Sequence, residues 1–451
     1  LVSVRLLDEP AADLYRFHDL IGAYARQKAL AELSGNEIDA ARGRLAEHYL
    51  DMADRAADWI GLRGHEYEVD SANSSRYRSE FYDRVHAVSW FERNQENLAS
   101  VVDFFAAIGA GEQAWQLADS LWRFYATYGR TELLIYTQEK ALAVSRAQEN
   151  RRGSAVSLIG LGIAHCMAGR FDVSLALLNE AREMLESIDD PRGKVRVYGN
   201  LGMVYERVGR FHDALSCFWK VFEYAVSVQD VRLEALQRIN IALMYQILGD
   251  WEKCIDFCAA SIELKGDEGQ LETQAAAMRI MGEVNAHMGK TDESFRQLKT
   301  SLELTQALGA QSEEIYCRNG LAVALRKAGK TDDAIDSHLQ ALEIGEERAL
   351  HSADAEILTE LGLTYAQAAR YEDARVSHER ALTIAKERGE RHVEARALMG
   401  LGMLPRDVIE RDAAVSSLAT AVTIFEELGV PEVGKARSGL QRLRGEDNGQ
   451  D

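Results

Sequence analysis

The sequence predicts an all-α fold of the solenoid type, and three observations predict it. One pattern recurs every 40 residues from mid-chain to near the C-terminus, and the 451 residues contain only four prolines. Apolar residues also keep three- and four-residue steps through most of the chain, the spacing of one helical face. The pattern is clearest from Leu201 to Phe211. A large apolar residue followed by Gly or Ala recurs as Leu161-Gly162, Leu201-Gly202, Ile241-Ala242, Met281-Gly282, Leu321-Ala322, Leu361-Gly362 and Leu401-Gly402. Eight residues later comes a turn, at Gly169, Gly209, Gly249, Gly289, Gly329 and, as a variant, Ala369. Two small slots follow, Ser174 to Ala414 and Ala181 to Ala421, in the same register.

A large apolar residue beside Gly on one helix, a Gly turn, then a helix with two small positions describes a tightly packed antiparallel pair. Such a pair cannot bury both faces alone, so pairs stack into a solenoid held by nearest-neighbour contacts. The string Leu-Gly-x-x-Tyr-x-x-x-Gly-x-Phe-x-x-Ala, from Leu201 to Ala214, resembles the tetratricopeptide repeat (TPR). The usual unit of that family is about 34 residues. The longer period here implies longer helices or loops. Seven to eight such units are expected over residues 111–444, the first a degenerate, aromatic-rich one beginning near Gly111 with Trp115, Trp122, Phe124 and Tyr125. Those aromatics are read as the core of a capping repeat in preference to a ligand cage. Pro405 takes the Tyr slot of the last repeat and lacks the amide a helix interior needs, so that repeat should be distorted. Ala436 to Arg444 is expected to add a capping helix, and residues 445–451 to fray.

Ahead of the array, Leu1 to Glu9 alternates apolar and polar residues as a strand does, Pro10 to Ala12 turns it, and helical spacing runs to about Leu33. This fragment, residues 1–34, resembles the end of the winged-helix domain that follows the nucleotide-binding (NB-ARC) domain of STAND-type signal ATPases. Phe17-His18-Asp19-Leu20 stands where that family carries Met-His-Asp. The resemblance implies that His18 reads the phosphates of bound ADP and that Asp19 orients the local turn; the alternative is that His18 caps a helix. Residues 35–110 are expected to form a helical bridge, interrupted by a mobile loop at 61–79 that carries Gly64, Ser71, Asn73, Ser74 and Ser75. Within the bridge, Trp90-Phe91-Glu92 followed by Asn97-Leu98 is similar to the segment joining winged helix and TPR array in large SARP antibiotic-regulatory activators.

Charge and motifs then exclude classes. The net charge of −20, from 52 basic against 72 acidic residues, disfavours sequence-independent phosphate binding by this segment. No apolar run approaches the roughly 20 residues that span a bilayer. The chain opens on Leu1, not Met, and is expected to be a fragment of something longer. Five cysteines inside helical patterns suit a reducing cytoplasm, and Cys254 and Cys258 read as small core residues, not metal ligands. Gly289-Lys290-Thr291 and Gly329-Lys330-Thr331 resemble the end of a P-loop, but Val284 and Ala324 replace the required upstream glycine and both triplets fall on the repeat turn. No hydrolase or metalloprotease motif is present, and His338 and His378 recur because they share a repeat slot. No enzyme is expected here, and no cofactor; ATP or ADP belongs to an implied nucleotide-binding domain.

What remains is a binding surface. In TPR arrays the first helix of each pair lines the concave groove, and the slots two before, two after and six after the large apolar residue are expected to look inward. These give Ile159, Ile163 and Met167; Gly199, Met203 and Arg207; Ile239, Leu243 and Ile247; Arg279, Glu283 and His287; Asn319, Val323 and Lys327; and Thr359, Leu363 and Gln367. Arg196, Asn200, Asn240 and Tyr316 add polar capacity beside them. A groove apolar at its early end and polar later suits a peptide, a protein partner or an amphipathic effector, unless another part of the same protein covers it. The resemblance implies a sensor half that controls its own ATPase in transcriptional activation, with homo-oligomers on activation and DNA contacted only through other domains. The competing expectation is a stand-alone scaffold or signalling-peptide receptor.

Overall fold

A computed structural model describes residues 7–11, 14–17, 19–60, 81–264, 271–348 and 350–445. The chain forms two compact units, residues 1–160 and 161–451. His18, the whole segment 61–79 and residues 446–451 lie outside the described residues.

The first unit opens with a hairpin, β1 (Leu7–Ala11) and β2 (Leu14–Phe17), paired antiparallel with Leu7 opposite Phe17 and Asp8 opposite Arg16. Pro10 was expected in the turn but lies within β1, a place that a two-stranded edge tolerates because no second neighbour needs its missing amide. Then come α1 (Asp19–Glu32), α2 (Gly35–Ile60), α3 (Arg84–Ala107), α4 (Gly111–Thr127) and α5 (Thr131–Ala147). The Asp83 carboxylate caps α3 by accepting the His86 amide at 2.7 Å. The aromatic residues of this region build its core: Trp115, Phe124 and Tyr125 are buried, and Phe91 stacks on Phe124 with ring centroids 4.9 Å apart. Helix α6 (Arg151–Met167) carries the boundary between the units.

The second unit continues with α7 (Phe171–Glu186) and four helix pairs: α8 (Pro191–Arg207) with α9 (Phe211–Ser227), α10 (Val231–Leu248) with α11 (Trp251–Glu263), α12 (Leu271–His287) with α13 (Thr291–Leu308), and α14 (Gln311–Lys327) with α15 (Thr331–Arg348). A further two pairs are α16 (Asp354–Gln367) with α17 (Tyr371–Arg388) and α18 (Arg391–Gly402) with α19 (Arg411–Leu428); α20 (Val433–Gly445) packs on α19 and ends the array. The fold is the all-helical solenoid that the period implies. Helix α18 stops at Gly402, three residues before Pro405, so the last pair has a shortened first helix.

The glycine of the Leu-Gly slot has a physical purpose. Sixteen residues further on, the second helix presents a knob over it, at Leu178, Phe218, Leu298, His378 and Leu418; Cys258 and His338 hold the same position where the slot is Ala242 or Ala322. A Cβ built at Gly202 would lie 2.5 Å from the Phe218 ring, so only glycine lets the helices approach this closely there. The small slots serve the same contact. Where they hold serine, the hydroxyl donates back across the pair, Ser174 to the Gly162 carbonyl and Ser294 to the Gly282 carbonyl, both at 2.7 Å. Cys254 and Cys258 are fully buried in this packing. At the turns, Gly209 adopts φ 81° and Ala369 takes the same left-handed conformation at φ 58°, which costs a residue with a Cβ about 1 kcal/mol.

Candidate functional site

First helices of neighbouring repeats touch directly, α10 with α12, α12 with α14, α14 with α16 and α16 with α18. They therefore form the crowded, inner wall of the superhelix. Side chains at the slots five, two and one before, and two and five or six after, the large apolar residue converge on this wall.

Two ion-pair ladders run along it. In the first, Arg279 donates to Glu313 at 2.6 Å and to Glu283 at 3.0 Å, and Gln246 of α10 donates to Glu283 at 2.9 Å. Arg279 also lies over the Tyr316 ring, 5.4 Å from its centroid. Burial opposes the charge of Arg279, but the two carboxylates outweigh it and raise its pKa further. In the second, Glu360 of α16 is clamped between Arg326 of α14, at 2.5 Å, and Arg396 of α18. Burial works against the Glu360 carboxylate, yet the two guanidinium groups hold it well below the usual range. Each ladder ties three consecutive first helices together, with Arg279 and Glu360 only 7% exposed.

Other acids on the first helices lack such close partners among the described residues. Burial raises the pKa of Glu206, which Arg207 lowers and the nearby Glu356 carboxylate raises again. Glu356 also raises Glu283 and Tyr316, the latter bonded to Ser352. Glu206 of α8, Glu283 of α12 and Tyr316 of α14 thus lie within electrostatic reach of Glu356 on α16. Among the described residues no hydrogen bond or close ion pair engages Glu206 or Glu356. Met203 and Met167 stay 57% and 46% exposed on the same inner slots of their helices.

The superhelix also returns on itself within this unit. Arg207 of α8 reaches Glu390, just before α18, at 3.1 Å across 183 residues of sequence. Phe211 packs edge-on against His392, and Phe211, Phe218, Ile241 and Met244 share one buried cluster with Leu398, Phe425, Leu428 and Val430.

The inward slots named from the sequence divide accordingly. The slot two before the apolar residue is mostly buried between repeats: Ile159, Ile239 and Thr359 are closed off, as are Asn319 and the paired Arg279. These side chains meet the adjacent first helix because neighbouring first helices sit too close for solvent to enter. The slots two and six after it reach the lumen, at Met203, Glu283, Arg207, His287 and Lys327. Desolvation, then Lys327, holds His287 below the usual histidine range although solvent reaches the residue; desolvation and Arg326 likewise lower Lys327. Asn200 donates to the Arg196 carbonyl at 2.9 Å and Asn240 to Gln237 at 3.4 Å, each within its own helix. Asp19 begins α1 in the other unit. Glu206, Arg326, Glu356, Glu360, Glu390 and Arg396 were not singled out. A signal was present: Glu356 and Arg396 occupy the slot of Arg196 and Tyr316, five before the apolar residue.

Comparison with known proteins accords with the helical-repeat fold. Tetratricopeptide repeat family models match residues 272–347 and 355–388. A crystal structure of a Rap protein complexed with Competence and Sporulation Factor is similar in fold, with 13% identity over 76% of this chain and 100% of that one, and a TM-score of 0.51. Aspartyl phosphate phosphatase F from Bacillus subtilis is similar at the same identity and TM-score, over 67% of this chain and 81% of that one. No curated protein matches the sequence significantly. No helix among the described residues is long and apolar enough to cross a membrane.

Proposed function

We propose that this chain is a regulatory binding module whose lumen takes a peptide, a segment of a protein partner or a small effector, and that occupancy controls an attached STAND-type ATPase in transcriptional activation. The observation that carries the reading is on the first helices of the second unit, where Met203 is 57% exposed one turn before Glu206, a buried acid within electrostatic reach of Glu356, and among the described residues neither carboxylate is held in a close ion pair. Exposed thioether and unpaired carboxylates on a narrow concave wall are poor for stability but suited to recognition, since each gains contacts when a ligand enters. The fold shared with a Rap protein crystallised with Competence and Sporulation Factor supports a ligand-binding role for this architecture. The link to an ATPase rests on the winged-helix resemblance of residues 1–34, where His18 and Asp19 would monitor ADP.

The experiment compares nucleotide exchange and transcriptional output of the full-length protein with those of Met203→Glu and Glu356→Lys variants. Both variants are expected to uncouple signal from output while leaving the melting temperature within a degree or two. Unchanged regulation in both would overturn the reading.

A further inference from the structure

One part of the inner wall gathers cations with few acids to match them, in a chain whose net charge is −20. Beside the ladder of Arg326, Glu360 and Arg396 stand Lys327, in the last turn of α14, and His287, the last residue of α12. The start of α20 comes to the same place. Pro431 rests against Gly249 at the end of α10, Glu432 meets His392 at 3.0 Å, and Lys435 lies within electrostatic reach of Lys327. The charges that Lys327 feels are Arg326, Lys435 and one carboxylate, Glu360, which two guanidinium groups already occupy. Burial and the two cations oppose the charge of Lys327, and only Glu360 offsets them. Among the described residues Lys327, Lys435 and His287 make no hydrogen bond or ion pair, and the buried Nε of Arg326 has no acceptor. A lysine in a last turn suits the helix dipole, which would account for Lys327 alone. Lys435 stands in the first turn of α20, where the dipole opposes a cation.

We propose that Lys327 and Lys435, with Arg326 and His287 beside them, form a binding site for the phosphate group of a small effector. Two lysines that repel each other are held together by the fold of α14 and α20, so an anion that enters relieves a cost the empty site carries. A phosphate dianion concentrates two negative charges and several acceptor oxygens on one atom, which matches two ammonium groups at one place. A single carboxylate would leave one of the lysines unmatched. Lys327 and His287 both occupy the slot six after the large apolar residue, so a phosphate held here leaves the rest of its molecule against the inner wall. As the place where the regulatory ligand is read, the site rests on the binding role proposed above; phosphate binding itself does not.

The test titrates the full chain with inorganic phosphate in a calorimeter at neutral pH and constant ionic strength, with succinate as the carboxylate comparison. Phosphate is expected to bind the parent, and succinate to bind more weakly. Lys327→Gln and Lys435→Gln should each weaken phosphate about tenfold, the size of one lost charge-assisted bond. Both variants should keep the parent's melting temperature, because neither lysine is paired. Lys435→Arg should retain most of the binding, and Lys386→Gln, which removes an exposed lysine from α17, should leave it unchanged. Raising the salt concentration should weaken phosphate binding by screening. No binding to the parent, equal binding to the two glutamine variants, or tighter binding of succinate would each overturn the proposal. If phosphate fails to bind while Met203→Glu and Glu356→Lys still uncouple the signal, the phosphate site is refuted and the binding reading stands. If the glutamine variants lose phosphate while regulation is untouched, the site stands and the regulatory ligand is read elsewhere.

Discussion

The interior of each helix pair and the inner wall of the superhelix are built from the same first helices, yet they obey different rules. Inside the pair, contacts are dry and repeat with period 40: Leu178, Phe218, Leu298 and Leu418 fill one slot over Gly162, Gly202, Gly282 and Gly402. On the wall, residues in one slot range from Arg196 through Tyr316 to Glu356 and Arg396. Packing fixes the first set because a methyl group too many cannot be accommodated. The second set is free of that constraint, and its charges pair with whichever repeat stands beside them. The two histidine knobs sit on the line between these regimes. His338 and His378 occupy the dry slot, and burial pushes both imidazoles down to about 4. His338 keeps one bond, to the Thr364 hydroxyl at 3.2 Å, whereas neither ring nitrogen of His378 has a partner.

Perturbing one region at a time sharpens the contrast. The largest loss is expected from Glu360→Ala, which leaves Arg326 and Arg396 as uncompensated buried charges; breaking such a pair costs about 3–5 kcal/mol in a urea melt. Gly202→Val drives a side chain into the Phe218 ring and should cost about 1–3 kcal/mol by overpacking. In the opposite direction, His378→Leu installs the residue that other repeats use in that slot and removes an unpartnered polar ring. It should stabilise the protein at neutral pH by about 1–2 kcal/mol. It should also flatten the acid side of the stability profile. Each buried histidine titrates near 4 when folded and near 6.5 when unfolded, so between those values the unfolded chain binds more protons. Stability therefore falls as pH drops from about 6.5 toward 4, and less steeply once His378 is gone; urea melts at both ends of that window read the difference. The smallest effect is expected from Met203→Ala, within about 0.5 kcal/mol, because a thioether on the lumen packs against little.

What was legible in the sequence follows the same division. Period, turn and small slots located the helix pairs, because steric constraint repeats wherever the geometry does. Arg279, Asn319, Ile159, Ile239 and Thr359 were assigned inward but lie closed between first helices, a consequence of how tightly those helices approach. The ladder through Arg326, Glu360 and Arg396 spans three repeats, and no single 40-residue unit contains it. The Arg207 to Glu390 contact depends on how far the superhelix turns per repeat, a quantity set by many small packing angles and not by any motif. Pro10 and Pro405 show the local rule working at one end and yielding at the other: one sits within an edge strand, the other follows a helix that has already stopped.

The central claim is that the repeats are scaffold and the lumen is the reader. Signalling by the full-length protein should be measured with Met203→Glu and Glu356→Lys on the inner wall against Leu339→Glu and Val376→Glu, exposed positions on the second helices α15 and α17. The inner pair should abolish the response at unchanged melting temperature, and the outer pair should leave it intact. A response lost on the outer helices and preserved on the inner wall would contradict the account.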